Sequence, residues 1–402
     1  MTEFELKNPK LLDQILVVDF SQFLAGPLAG LKLADFGAKV IKIERPEVGD
    51  LCRNLYLSDV DVNGTNTLFH AINRNKQSYS ADLKNPDDLA KVKQLIKHAD
   101  VVIQNFRPNV IKRLGLDYDA VKKLNPNIIY ASVTGYGNTG EWHELPGQDL
   151  LAQAKSGLMW LSGDADQPPT PMGLAVADQL AGNILVQGIL AALVKRSQTG
   201  QSCLVETSLI EVLLDFQFEV LTTYMNDEQN RLPQRSSINN AHAYLSAPYG
   251  VYQTKDGFIA LAMMPVDGLA KIINCEQLKN HSDPKQWFSS RDAIKQILVD
   301  HFQTQTSQYW MEIFVKNDVW ASEVLDWKSL FESEGFQQLN YIQDLVLGNG
   351  QTMKTTRSPL TINGQILSST VAAPSIGEHN QQIDEEYGLT LHHKIPQNQK
   401  GD

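Results

Sequence analysis

Short apolar runs alternate with amphipathic stretches through the first half of the chain. Ile15 to Asp19 is a continuous apolar run that predicts a buried strand, and Pro27 to Phe36 carries apolar residues at helical spacing, with Pro27 expected at the first helical position. Gly37 closes that helix, and Lys39 to Ile43 predicts the next strand, completing a βαβ unit. The pattern recurs. A strand is expected at Ser78 to Asp82, and a helix at Pro86 to Lys97 with Leu89, Val92, Leu95 and Ile96 on one face. Strands follow at Asp100 to Gln104 and, after another helix, at Ile128 to Val133. A long apolar helix then runs from Asp178 to about Lys195, followed by a turn at Thr199-Gly200-Gln201, a strand from Ser202 to Thr207 and an apolar helix from Leu209 to Met225. Strands alternating with helices imply an α/β fold with an open, mostly parallel, Rossmann-like sheet whose ligands bind beyond the strands' C-terminal ends.

The pattern changes after Met225. Asn226 to Asn240 is polar and reads as a linker; a hairpin follows, Tyr249 to Thr254 and Phe258 to Met263 about Lys255-Asp256-Gly257, and then helices near Asp292 to Phe302 and Ser307 to Val315. A chain of 402 residues exceeds what one core usually supports. The expected division is therefore a large domain over 1–225, a smaller α+β domain over 226–335, and a C-terminal segment, 336–402, returning to the large domain.

Composition adds exclusions. The formal charge of −11 argues against a nucleic-acid or anionic-membrane binder, so an anionic ligand has to be held by local basic residues. Cys52, Cys203 and Cys275 lack disulfide or metal-ligand spacing, and no metal site is expected. The N-terminus shows no leader pattern and no run approaches the roughly 18 apolar residues of a membrane span, so a soluble cytoplasmic protein is expected.

The chemistry concentrates at the turns. Pro168 to Asp178 is a proline-punctuated loop ending in one carboxylate before an apolar helix. Asp178 in that place is most simply an N-cap, favoured in its ionised form by the helix dipole, and an ionised carboxylate is also a usable nucleophile. Gly182 and Gly188 on the same helix allow a neighbour to approach closely. Strand ends lead into Ser21 to Pro27, into Glu44-Arg45-Pro46 and into Asn105-Phe106-Arg107. Glu44 lies roughly where a dinucleotide-binding fold keeps its ribose-binding acid, but the first turn offers only Gly26 and Gly30 in place of G-x-G-x-x-G.

The segment Gly173-Leu174-Ala175-Val176-Ala177-Asp178, with Gly182 and Gly188, resembles the catalytic-aspartate motif of the class III CoA-transferases. That family includes formyl-CoA and carnitine CoA-transferases and, as a racemase branch, α-methylacyl-CoA racemase. VVDFSQFLAGP, AKVIKIERP, NRNKQSYSADLK, ADVVIQNFRP and KRLGLDY resemble its N-terminal half, and Pro374 to His379 its closing segment. The resemblance implies that Asp178 attacks an acyl-CoA thioester and moves CoA to a free carboxylic acid, with acyl-CoA as substrate and no permanently bound cofactor. It implies that Leu24 and Ala25 line the CoA and that Arg45 and Arg113 pair with its phosphates. Ala81, Asp82, Leu83, Lys84, Asn105, Phe106 and Arg107 are then expected at the adenosine diphosphate end. An interlocked homodimer is also implied.

The chain departs from the family at several places. Leu24 replaces a Gln, Pro146 and Gln148 replace a Lys and a Tyr ahead of Asp149, and Ala262-Met263-Met264-Pro265-Val266 stands where a glycine-rich lid is common. Gln148 also occupies the place of the racemase branch's His, which opposes the racemase alternative, with His143 nearby as a substitute. A non-catalytic CoA- or nucleotide-binding protein is the other alternative.

Overall fold

The computed structural model describes residues 11–55, 60–62, 64–107, 109–229 and 231–390. Two compact units share them: 11–149, 176–212 and 340–390 in the first, and 150–175 with 213–339 in the second.

The first unit is built on β1 (Leu16–Asp19), α1 (Ala25–Asp35), β2 (Lys39–Glu44), α2 (Thr67–Asn73), β3 (Gln77–Ser80), α3 (Pro86–His98), β4 (Val101–Gln104), α4 (Val110–Arg113), α5 (Tyr118–Leu124) and β5 (Ile129–Thr134). After α6 (Asp149–Ser156), which leads out of this unit, α7 (Val176–Thr199) and β6 (Cys203–Ser208) complete it. Six parallel strands lie in the order β3-β2-β1-β4-β5-β6. Their order reverses between β1 and β4, and in open α/β sheets the crevice beyond the carboxyl ends at such a point is where ligands bind. Val18, Ile41, Val102 and Tyr130 from the sheet, Val92, Leu95 and Ile96 from α3, and Ile383 and Leu389 near the C-terminus form one buried cluster.

Two helix starts differ from the sequence expectation. Pro27 is the third residue of α1, whose first turn begins at Ala25. The first four N–H groups of a helix lack intrahelical partners, so a proline costs no hydrogen bond there. α7 begins at Val176, which places Asp178 inside its first turn and not at the cap.

α7 packs where its small residues allow. A Cβ on Gly182 would sit 2.8 Å from the carbonyl oxygen of Ala25, and one on Gly188 would sit 2.5 Å from Val205 Cγ1 of β6. Contrary to the sequence expectation, α7 is long and apolar enough to cross a membrane by length and composition. Its Ala181, Leu185, Ile189 and Ala192 are instead buried within the protein.

In the second unit, the expected single helix over 209–225 is interrupted at Gln217, giving α8 (Leu209–Phe216), whose start lies in the first unit, and α9 (Phe218–Met225). Gln217 spends its amide on the carbonyls of Leu213 and Ser156. The hairpin β7 (Gly250–Gln253) and β8 (Phe258–Leu261) pairs as expected, and β9 (Ala321–Glu323) adds to β8. Tyr252, Ile259, Leu298, Phe302, Trp310 and Phe314 form a separate core, which also takes in α10 (Val266–Ile272), α11 (Arg291–Phe302) and α12 (Ser307–Lys316). Met264 packs against that core while Met263 is exposed, so this stretch is a connection into α10.

Candidate active site

The loop leaving β1 is held from several sides at the strand-order reversal. Asn105, directly after β4, accepts the Gln22 N–H at 2.9 Å and donates to the Gln22 carbonyl at 2.8 Å, so both functions of its amide are spent across the gap between β1 and β4. Asp19 accepts from the Ser21 N–H and hydroxyl and pairs with Lys76 at 3.1 Å. Lys76 also donates to the Pro27 carbonyl at 2.8 Å, Lys42 donates to the Ser21 carbonyl at 2.7 Å, and Asp50 accepts the Phe23 N–H at 3.1 Å while pairing with Lys42. Four fully buried charges thus fix the backbone at Ser21, Phe23 and Pro27.

Their electrostatics are lopsided. Burial pushes the Lys76 ammonium down to about 8 despite Asp19, whereas the carboxylates around Lys42 outweigh its burial and hold its ammonium above the usual value. Within the clamped loop, Phe23 takes a φ of 66° and stays 44% exposed. A bulky side chain in the left-handed region costs free energy, and such strain persists only where surrounding contacts over-determine the backbone.

Asp178 is half-buried in the first turn of α7, one helical turn before the Gly182 contact with Ala25. The expected cap is supplied from elsewhere: Asp149 accepts the Asp178 N–H at 3.1 Å. That N–H is therefore not a free oxyanion donor. Asp149 is placed by a glycine pair, since Gly135 after β5 and Gly147 approach so closely that a Cβ on either would lie 2.5 Å from the other's Cα. The sequence expectation of an ionised carboxylate favoured by the helix dipole needs correction. Burial, with a smaller push from the Asp149 charge, raises the Asp178 carboxyl to about 7. Taking a carboxylate out of water beside a like charge outweighs the helix terminus.

The residues expected at CoA lie in four places. Leu24 and Ala25 open α1, with Ala25 buried and Leu24 packed against Phe69 and Ile72. Arg45 follows β2 and is exposed. After β3, Ala81 is buried and its N–H bonds the Glu44 carbonyl; Leu83 packs on the core, Asp82 accepts the Lys84 N–H, and the Lys84 side chain is exposed. After β4, Asn105 is the clamp described above, Phe106 packs against the core and Arg107 is exposed; Arg113 ends α4, also exposed.

The chain's ten arginines sort cleanly. Arg53, Arg74, Arg196, Arg231, Arg235, Arg291 and Arg357 each bond a carboxylate or a carbonyl. Among the described residues, Arg45, Arg107 and Arg113 have no such partner. Arg45 directly follows β2 and Arg107 lies just past β4, parallel strands whose carboxyl ends share one edge of the sheet, and Arg113 ends α4 after β4. Exposed guanidinium groups without a carboxylate or carbonyl partner suit bidentate recognition of phosphate.

The acid of the competing dinucleotide pattern is not free. Glu44 is bound by Arg53 Nε and Nη2, by the Ser78 hydroxyl and by the Asp50 N–H. Gln148 is exposed, and His143 places Nδ1 2.8 Å from the Gly140 carbonyl with Nε2 facing Glu144.

Sequence reasoning missed Asp149 as the Asp178 partner and missed the buried Asp19, Lys42, Asp50 and Lys76 set. A signal existed for part of it, since Lys42 stands between Ile41 and Ile43 in a strand expected to be buried, and a charge there requires a partner. The partner itself comes from another strand or loop and has no trace in local spacing.

The family model of CoA-transferase family III matches residues 12–380. The succinate–glutarate CoA-transferase of Agrobacterium fabrum is 32% identical over 398 residues, covering 95% of this chain and 97% of the relative. The acetyl-CoA:oxalate CoA-transferase of Acetobacter aceti is 32% identical over 81% of this chain and 84% of its own. Among solved structures, a CAIB/BAIF family protein from Brucella suis superposes with a TM-score of 0.81 at 29% identity, covering 95% of this chain and all of that one. Taken with the six-stranded parallel sheet, these likenesses place the chain in CoA-transferase family III.

Proposed function

We propose that this enzyme moves CoA from an acyl-CoA to a small carboxylic acid through covalent intermediates on Asp178. The observation that carries this reading is Asp178 itself, a half-buried carboxylate whose backbone is fixed by Asp149 and whose side chain forms no ion pair among the described residues. Its ionised oxygen attacks the thioester carbonyl, and collapse of the tetrahedral adduct releases CoA thiolate and leaves an aspartyl-acyl anhydride. The thiolate then attacks the aspartyl carbonyl, expelling the first acid and forming an aspartyl-CoA thioester. The incoming carboxylate attacks that thioester, and the two steps run in reverse. A carboxyl held at about 7 is poorly solvated as an anion, which makes it a stronger nucleophile than a carboxylate free in water.

Arg45, Arg107 and Arg113, with Lys84, are assigned to the phosphates of CoA, and Leu24 and Ala25 to its thiol end. Relatives named for succinate, glutarate and oxalate support short dicarboxylic acids as the acid class. A homodimer is part of the proposal. What supports it is apolar surface that a lone chain leaves in water, including Phe218 at 68%, Met225 at 71% and Trp327 at 76% exposed.

The test is incubation with succinyl-CoA and other acyl-CoAs without acceptor, followed by hydroxylamine or borohydride and peptide mass mapping. Modification confined to the Asp178 peptide and lost in Asp178→Ala is expected. An unmodified peptide despite CoA binding, together with solvent deuterium entering the α-carbon of the acyl group, would favour the racemase alternative instead.

A further inference from the structure

The second unit contains a cavity of about 920 Å³ whose lining includes none of Asp178, Arg45, Arg107 and Arg113. Trp160, Val220, Leu221, Leu232 and Phe288 are the large apolar residues of its lining. Arg235 lines the same cavity and is only 9% exposed. Its guanidinium donates to the carbonyls of Ser162 and Gln167, both at 2.6 Å, and lies 5.7 Å from the centre of the Trp160 ring. Among the described residues no carboxylate pairs with it. The other guanidinium on the wall, Arg291, has Asp292 at 3.9 Å and bonds the carbonyls of Ala243 and Gln234.

A buried charge met by two carbonyl dipoles and a ring face, with no carboxylate, is incompletely compensated, and two carbonyl bonds leave part of the five-donor guanidinium unused. An anion entering the cavity would complete the pairing. The other guanidinium in the lining already has Asp292 beside it, and Asp292 itself lines the cavity, so a second negative charge on the ligand would meet a carboxylate and no free cation. We propose that this cavity is a binding site for a monocarboxylate with an apolar body, its carboxylate on Arg235 and its chain against Val220, Leu221 and Leu232. This ligand class differs from the dicarboxylates for which relatives are named, and the inference does not rest on the covalent chemistry of Asp178.

Saturation-transfer NMR with hexanoate, hexanamide and glutarate tests it, using wild-type protein and Asp178→Ala. Hexanoate is expected to bind both proteins alike, and hexanamide and glutarate at least about tenfold more weakly, the discrimination expected of one charge-assisted hydrogen-bonded pair. Arg235→Gln should erase the preference for the acid over the amide. Because Arg235 also ties down Ser162 and Gln167, Val220→Phe is the second variant: it fills the cavity without touching the charge and should abolish hexanoate binding while circular dichroism and melting stay as in wild type. Hexanoate that fails to bind, binds no better than its amide, or binds unchanged to folded Val220→Phe would overturn the proposal. Failure of Asp178 labelling would leave these outcomes unaffected.

Discussion

At the scale of residues, the informative pair is Asp178 and Asp149. Since burial and the Asp149 charge raise Asp178 to about 7, the nucleophilic anion is lost as pH falls through that value. Transferase kcat/KM should therefore rise with pH to a plateau above about 7, as a pH–rate profile with succinyl-CoA would show. Asp149→Asn keeps an oxygen for the Asp178 N–H and removes the repelling charge, so the acid limb of that profile should move to lower pH. Folding linkage has the opposite sign. The native state keeps a proton on Asp178 between about pH 4 and 7 that the unfolded chain releases, so this group's contribution to stability is greatest in acid and is lost as pH rises to about 7. Asp178→Asn should accordingly abolish transfer yet raise the unfolding free energy at pH 8 by an amount of the order of 1–3 kcal/mol, seen as a higher melting temperature. The three unpaired arginines make a separate prediction. Replacing Arg45, Arg107 or Arg113 by Gln should raise the KM for acyl-CoA roughly tenfold each, with kcat and the KM for the acid little changed, because each removes a charge-assisted bond to a part of the substrate that does not react.

At the scale of elements, the site depends on how α7 meets α1. Gly182→Ala would drive a methyl to 2.8 Å from the Ala25 carbonyl, and backbone cannot swing away as a flexible side chain can. A loss of about 1–3 kcal/mol in denaturant unfolding is expected, together with a fall in kcat, since the helix carrying Asp178 must shift. Asn105 is the corresponding joint between β1 and β4. Asn105→Ala would leave both polar groups of Gln22 without their partner and should loosen the Phe23 loop, seen as faster amide exchange over residues 20–25. The polar stretch after Met225 shows how far an element can depart from its composition. It reads as a linker, yet Arg235 and Asn240 tie it to Ser162, Gln167 and Leu161, and it walls a cavity.

At the scale of the whole molecule, the first unit is assembled from three separated stretches, so residues near 380 complete a core begun at residue 16. Tyr79 bonding Asp384 at 2.7 Å and the His379 N–H bonding the Ser78 carbonyl are part of that closure. Native mass measurement at micromolar concentration should give twice the chain mass of 44.9 kDa; a monomer alone would sink the dimer proposed above.

What the sequence determined by itself is the βαβ alternation, the parallel sheet and the strand-end turns, because hydrophobic periodicity and glycine and proline placement are local and each is enforced by a neighbour a few residues away. Asp178 with its glycines and the arginines at the strand ends are proposed as site residues from short motifs at those turns together with the family resemblance, since spacing alone reads Asp178 as a helix cap. Only the tertiary structure decided what surrounds them. Asp178 meets Asp149 from 29 residues upstream, Lys76 meets Asp19 from 57 residues away, and Arg235 reaches carbonyls 68 and 73 residues earlier. A carboxyl's acidity and a buried charge's compensation depend on distance in space and on exclusion of water, and neither quantity exists until the chain has folded.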